Sequence, residues 1–279
     1  MGNRKKYREK FFSVHNFCCF CGGNIAAAEI EHMPSRAMFR SKHRPQGFEF
    51  PICVDCNRVS RRSEAIVSFM ALSKFDIDIY DKAYNHIRQI MDSIKRHHPA
   101  LLDEIIRGGK GNRHREKQLQ PKIGTDMRLV NLGPITKQHL ELFGAKMALA
   151  AFYEHTGKPL ALSGGVFTTV HTPVDFIEET LPEFPDYFGN FETLKQGRWD
   201  VRDQFEYRCA LTDNKDAAIF QFFFHQNFLL TSFAFNDLSH THNYTARWLK
   251  PGQLVSVDEA LINPLAKYST SSTFGLNDK

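Results

Sequence analysis

The 279-residue sequence lacks the long apolar segments that mark membrane proteins. No stretch approaches the ~18 uninterrupted apolar residues that a membrane-spanning helix requires. The N-terminus is polar and basic, and it lacks the apolar core of a secretory signal peptide. These two absences predict a cytoplasmic protein that has no membrane partner.

The sequence also lacks the cysteine pattern of a disulfide framework, because the positions of its six cysteines favour metal ligands instead. Four of them form two tight pairs, Cys18 with Cys21 and Cys53 with Cys56, which is typical of metal ligands in a reducing compartment. Cys18, rather than the adjacent Cys19, has the usual two-residue spacing to Cys21. Four thiolates on two such turns can surround one zinc ion tetrahedrally. The sequence therefore predicts a structural Zn²⁺ site.

Other residues of metal-ligand type have no partner at a suitable spacing. Cys19 is predicted to be a small buried residue or a free thiol. Cys209 lies in an apolar, alternating segment and is predicted to be a core residue. The neighbours His97 and His98 are predicted to lie on the surface.

The 31 residues between the cysteine pairs contain an acid followed by a histidine, Glu31 and His32. Neutral imidazole can take a proton at cellular pH, so His32 is a candidate general base. Glu31 is an oxygen ligand suited to Mg²⁺ or Mn²⁺, and Asn57 offers a carbonyl oxygen for the same ion. An activated water and a hard cation are what hydrolysis of a phosphodiester requires.

Glu31 and His32 can share one site only if the backbone departs from a regular strand. In an extended segment adjacent side chains point to opposite faces. The following Met33-Pro34 predicts the end of the strand, where a turn would let both groups reach one pocket. A helix that begins near Asn57 would carry Glu64 on the same face as Asn57.

These motifs resemble the HNH endonucleases, the His-Me finger or ββα-metal nucleases. The resemblance covers residues 15 to about 70 and rests on Cys-x-x-Cys, Glu-His and Cys-x-x-Cys-Asn in that order. It implies that His32 is the general base and that Glu31 and Asn57 hold a catalytic Mg²⁺ or Mn²⁺. The zinc would be purely structural. The implied activity is metal-dependent cleavage of DNA, with an RNA-directed nuclease as an alternative.

Two positions depart from the family pattern. The middle asparagine, which orients the catalytic loop in the family, is absent near Phe48, where Glu49 or backbone groups are the candidate substitutes. The final ligand position of some members falls on Arg61, and waters complete the metal shell in members without that ligand. The missing asparagine favours a second interpretation, a non-catalytic zinc module that binds nucleic acid.

The positive charge is unevenly distributed along the chain, whose formal net charge is +5. Guanidinium groups match phosphate oxygens, so arginines near the motif are candidate nucleic-acid contacts. These candidates are Arg36, Arg58, Arg61 and Arg62. A second basic run at the N-terminus contains Arg4, Lys5, Lys6, Arg8 and Lys10. Solvated surface charge explains either run equally well.

The whole chain is predicted to be an α+β protein of three units. Residues 1–75 form the zinc-bound ββα-metal module, and residues 76–130 form a helical connector with a basic loop. Residues 131–279 form an α+β domain of unassigned role, in which a helix from Thr136 to Gly157 packs on an antiparallel sheet. Alternating apolar residues predict the sheet strands at 165–170, 205–211, 217–224 and 228–235.

Overall fold

A computed structural model describes residues 3–40, 48–72, 82–110, 133–172, 175, 201–225, 228–241 and 247–254. The helices are α1 Asn3–Val14, α2 Val54–Leu72, α3 Lys82–His97, α4 Pro99–Lys110 and α5 Pro134–Thr156. The strands are β1 Glu29–Met33, β2 Phe48–Ile52, β3 Gly165–His171, β4 Phe205–Leu211, β5 Ala217–Phe224 and β6 Phe228–Phe235. This confirms the predicted α+β class. Within these ranges, no helix combines the length and apolarity needed to span a bilayer.

The N-terminal part is a two-stranded hairpin followed by a helix. Strands β1 and β2 pair antiparallel, with Glu31 opposite Phe50 and His32 opposite Glu49. Phe50 and Ile52, on one face of the hairpin, are fully buried. Helix α2 begins two residues after β2 ends, so the order of elements is strand, strand, helix.

The C-terminal part is a four-stranded antiparallel sheet in the order β3-β6-β5-β4. The three strands β4, β5 and β6 form a meander with the bounds that the alternating pattern predicts. Helix α5 ends as predicted, with Gly157 in the left-handed conformation. Its start differs from the prediction, because Gly133 rather than Thr136 is the N-cap. The carboxylate of Glu104 in α4 accepts a hydrogen bond of 3.0 Å from the backbone amide of Thr136. Glu104 thus caps the first turn of α5 in place of a side chain of that helix.

The apolar core runs without interruption from the zinc-type cysteines to the sheet. Helix α5 is buried around most of its circumference, because it packs against α2 on one side and against β3 and β6 on the other. A smaller apolar cluster joins α2, α3, α4 and the first turn of α5. The predicted units 1–75 and 131–279 therefore share one core in the part of the chain that the structure describes.

Gly144 allows α5 to lie close to the sheet. A Cβ atom at this position would overlap the side chain of Thr168 on β3. We expect Gly144→Ala to lower the free energy of unfolding, because overpacking typically costs about 1–3 kcal/mol and helix propensity returns at most about 1 kcal/mol. Urea denaturation measures this difference. An unchanged or higher midpoint would contradict the close packing of helix and sheet.

Candidate functional site

The four predicted zinc ligands meet at one point. The sulfur atoms of Cys18, Cys21, Cys53 and Cys56 all lie within 4.8 Å of one another, and all four residues are buried. Four thiolates placed tetrahedrally at about 2.3 Å from one ion would lie about 3.8 Å apart. The size and chemistry of the cluster therefore fit a structural zinc ion.

Local backbone structure positions the two cysteine pairs. The first pair lies on a tight turn in which Cys18 accepts the amide of Gly23 at 3.0 Å, and Gly22 has a positive φ of 68°. The second pair flanks the start of α2, where the amide of Cys56 lies 3.5 Å from the sulfur of Cys53. A zinc ion at this cluster would tie the turn to the first turn of the helix.

Hydrogen bonds between the thiols of the cluster shift their pKa values. A hydrogen bond from Cys18 lowers the pKa of Cys21 to about 2 and raises the pKa of Cys18 to about 12. Hydrogen bonds to Cys18 and Cys21 also raise the pKa of Cys56. Zinc binding would displace these protons and convert the thiols to thiolates. Cys19 is fully buried, and among the described residues its sulfur is not part of the cluster.

Glu31 lies on the inner face of β1 and is bound to a buried lysine. The Nζ atom of Lys146 in α5 donates to Oε1 of Glu31 and to Oε1 of Glu64, each at 2.6 Å. Burial raises the pKa of Glu31 to about 7, although Lys146 opposes the shift. Burial disfavours the ammonium form of Lys146, but the two carboxylates outweigh this effect and raise its pKa. One ammonium group thus joins the hairpin, α2 and α5.

Asn57 is buried at the start of α2, where it contacts Glu29 of β1. Its Nδ2 atom donates to Oε2 of Glu29, and its Oδ1 atom accepts from Nε of Arg61 at 3.3 Å. Glu31 is therefore bound to Lys146, whereas Asn57 is bound to Glu29 and Arg61. A divalent ion shared by the two side chains would have to displace Lys146 from Glu31 and Arg61 from the Asn57 carbonyl oxygen.

His32 lies on the opposite face of the hairpin. β1 ends at Met33, as predicted, but its side chains still alternate, so Glu31 is buried while His32 is exposed. This corrects the expectation that a turn brings the two into one pocket. Nδ1 of His32 lies 3.3 Å from Oε1 of Glu49, its cross-strand neighbour. The hydroxyl of Tyr7 in α1 donates to the same carboxylate, and this bond raises the pKa of Tyr7 to about 12.

The arginines predicted to contact phosphate are exposed, but two of them have acidic partners. Arg58 lies 2.9 Å from Oδ1 of Asp55, and Arg61 lies 3.7 Å from Oε2 of Glu29. Arg36 and Arg62 are exposed as well. Two of the four positive charges near the motif are thus paired within the protein.

Two residues of the site were not predicted from the sequence. Lys146 is the only charged residue in the buried segment 142–152 of α5, and such an isolated charge in an apolar helix is a signal for a buried partner. Tyr7 is the only aromatic residue in the first ten, but nothing in the sequence connects it with Glu49.

One other polar residue, His98, differs from its sequence prediction. His98 is buried, and its ring packs edge-on against His139 with a centroid separation of 5.8 Å, so the prediction of a surface position is wrong. His97 is exposed, as predicted. Cys209 is half-buried, and its sulfur lies 3.6 Å from Nε2 of His155. Neither contact involves the hairpin that carries His32.

The hairpin and α2 thus have two chemically different faces. The inner face holds the cysteine cluster and the pairs of Glu31 with Lys146 and Asn57 with Glu29. The outer face exposes His32 beside Glu49, with α1 next to them. Comparison of the chain with protein-family models, with curated proteins and with solved structures found no match.

Proposed function

We propose that this protein is an HNH-type endonuclease that hydrolyses phosphodiester bonds in DNA, with His32 as the general base. The observation that carries the proposal is the contact between Nδ1 of His32 and the Glu49 carboxylate on the exposed face of the hairpin. A carboxylate that accepts the Nδ1 proton fixes the ring and makes Nε2 the basic nitrogen. An exposed base in this tautomer can take the proton of an attacking water.

Glu49 also supports the proposal because it can take the place of the asparagine that orients the catalytic loop in the family. No asparagine lies near Phe48, but the next residue on β2 is directly opposite His32. Its carboxylate orients the imidazole across the two strands, while the hydroxyl of Tyr7 holds the carboxylate from the other side. Glu49 and Tyr7 are therefore positioning residues for the base.

The resemblance also implies a divalent ion, Mg²⁺ or Mn²⁺, on Glu31 and Asn57. Such an ion neutralises charge that develops on the phosphate during hydrolysis. Because Glu31 binds Lys146 and Asn57 binds Glu29, their arrangement does not support this ligand pair. We therefore assign the water-activating step to His32 and Glu49 and leave the ligands of the divalent ion unassigned.

The second candidate function is a non-catalytic, zinc-stabilised module that binds nucleic acid. The pairing of Glu31 with Lys146 favours it, since a carboxylate that is neutralised inside the protein is not available to a catalytic ion. The third candidate keeps the nuclease chemistry and replaces DNA with RNA, because the same one-metal chemistry requires only a phosphodiester as its substrate.

The cleavage assay uses the purified protein with supercoiled plasmid DNA and, separately, with an RNA transcript. Each substrate is incubated with Mg²⁺, with Mn²⁺ or with a chelator. We expect divalent-dependent nicking of DNA, and we expect His32→Ala to lower the initial rate by about 10²-fold or more, the lower end of typical general-base contributions. Gel quantification of nicked and linear product over time gives the rates.

His97→Ala is the matched control, because His97 is an exposed histidine outside the hairpin. Zinc content and melting temperature of each variant show that the fold is retained and that the chelator has not removed the structural ion. A His32→Ala protein that cleaves as fast as the parent would exclude His32 as the base. A parent that binds both nucleic acids and cleaves neither would favour the second candidate.

A further inference from the structure

We propose that the exposed side of α1 binds the DNA backbone and places it beside His32. This inference rests on the proposed function for the choice of DNA as the polyanion. It differs from the sequence prediction, which assigned phosphate contacts to Arg36, Arg58, Arg61 and Arg62.

Helix α1 is held against the hairpin next to His32. The hydroxyl of Tyr7 donates to the Glu49 carboxylate, which also contacts His32. Nη2 of Arg8 donates to the carbonyl of Ala28, just before β1, at 2.6 Å. A phosphate backbone that lies along α1 would thus be adjacent to the base.

The charge of α1 is strongly positive and faces solvent. Its only acidic residue is Glu9, and residues 4–10 are all exposed. Lys5 lies 3.9 Å from Glu9, but no ion pair with another described residue involves Lys6 or Lys10. These two lysines are four residues apart, so they lie on one side of the helix. They provide two adjacent cationic groups for phosphate oxygens.

The order of charges in α1 does not serve the stability of the helix itself. Its first turn contains Arg4, Lys5 and Lys6 and no acidic residue, and its last turn contains no basic residue. Positive charge at the N-terminal end opposes the helix dipole, which favours anions there. An external polyanion would relieve this repulsion, whereas ordinary surface charge gives no reason for the arrangement.

The α2 arginines provide a contrast. Arg58 and Arg61 have carboxylate partners within the protein, at 2.9 Å and 3.7 Å. A phosphate would have to compete with these carboxylates, but it would meet no described carboxylate paired with Lys6 or Lys10. The α1 lysines are therefore the stronger attachment points.

The test compares two double variants that remove equal charge in the His32→Ala protein, so that no cleavage disturbs binding. One is Lys6→Gln with Lys10→Gln, and the control is Arg58→Gln with Arg61→Gln, which removes the two arginines that already have carboxylate partners. Binding to a fluorescein-labelled DNA duplex is followed by anisotropy at several salt concentrations. Each lost phosphate contact lowers the slope of log affinity against log salt by about 0.9, so we expect the α1 variant to lose about 1–2 units of slope.

We also expect the α1 variant to bind several-fold more weakly at low salt and the α2 control to bind nearly as the parent does. Melting temperatures show whether both variants remain folded. Loss of affinity in the control alone, or no binding by the parent, would overturn the proposal. Equal losses in both variants would also overturn it. Tighter binding to an RNA duplex, or to vesicles with anionic lipid, would overturn the assignment of DNA as the partner.

Cleavage by the His32-containing proteins separates this surface from the nuclease proposal. If the parent cleaves DNA and the α1 variant cleaves equally well, the surface assignment is wrong and the nuclease stands. If α1 governs DNA binding but the parent cleaves nothing, the surface stands and the nuclease proposal is wrong.

Discussion

Cys53→Ala is expected to abolish zinc binding and to unfold the N-terminal hairpin. The sulfur of Cys53 is one of four that lie within 4.8 Å of one another. Structural zinc sites contribute an apparent free energy of about 10–16 kcal/mol, which is comparable to the whole stability of a typical domain, about 5–15 kcal/mol. Because the cysteines belong to the same apolar core as the C-terminal sheet, the remaining fold should also be destabilised.

Two measurements test this expectation. One is the zinc content per chain, determined by elemental mass spectrometry, and the other is thermal melting followed by circular dichroism. The matched control is Cys19→Ala, which removes a buried sulfur from the same turn but not from the cluster. The control should keep one zinc ion per chain and lose only a small part of its stability. A Cys53→Ala protein with full zinc content and parental melting would refute the zinc site.

Lys146→Met is the second change with a large expected effect. Methionine keeps the unbranched apolar part of the side chain but removes the ammonium group that lies 2.6 Å from both Glu31 and Glu64. Removing one partner of a buried ion pair typically costs about 3–5 kcal/mol. We therefore expect a loss of this size in the free energy of unfolding at neutral pH, measured by urea denaturation.

Lys137→Met is the control on the same helix, because Lys137 is exposed and its ion pair with Glu141 is long, at 3.9 Å. It should change stability by less than about 1 kcal/mol. A rescue variant adds Glu31→Gln and Glu64→Gln to Lys146→Met, so that no charge remains buried. It should recover much of the loss, since neutral replacement of a whole buried ion cluster is often tolerated. Equal stability of Lys146→Met and the parent would show that the two carboxylates do not need this cation.

Local patterns in the sequence predicted those parts of the structure that depend on neighbouring residues. The bounds of β4, β5 and β6 follow from alternating apolar residues between polar turns. This pattern depends only on residues a few positions apart. The two-residue cysteine spacing likewise fixes a turn that presents both thiols to one ion. Helix α1 was not predicted, because half of its residues are charged and such short helices depend on tertiary contacts, here including the bond from Tyr7 to Glu49.

The pairing of charged side chains could not be predicted, because it depends on which faces meet after folding. Lys146 is 115 residues from Glu31 along the chain, and Tyr7 is 42 residues from Glu49. Asn57 contacts Glu29 rather than Glu31, a shift of one inward-facing position along β1. Sequence spacing placed Glu31 on a strand and Asn57 at the start of a helix, but it gave no information about the partner across the interface.

The bridge from Lys146 to the hairpin has a consequence for the order of events during synthesis. Glu31 and Glu64 precede Lys146 by 115 and 82 residues, so they leave the ribosome well before their counter-ion is made. The nascent hairpin and α2 therefore carry two carboxylates without their counter-ion until α5 has emerged. For a nuclease, this delay would act as a safeguard, because the His32 hairpin would reach its final form only after α5, which ends at Thr156, has been translated.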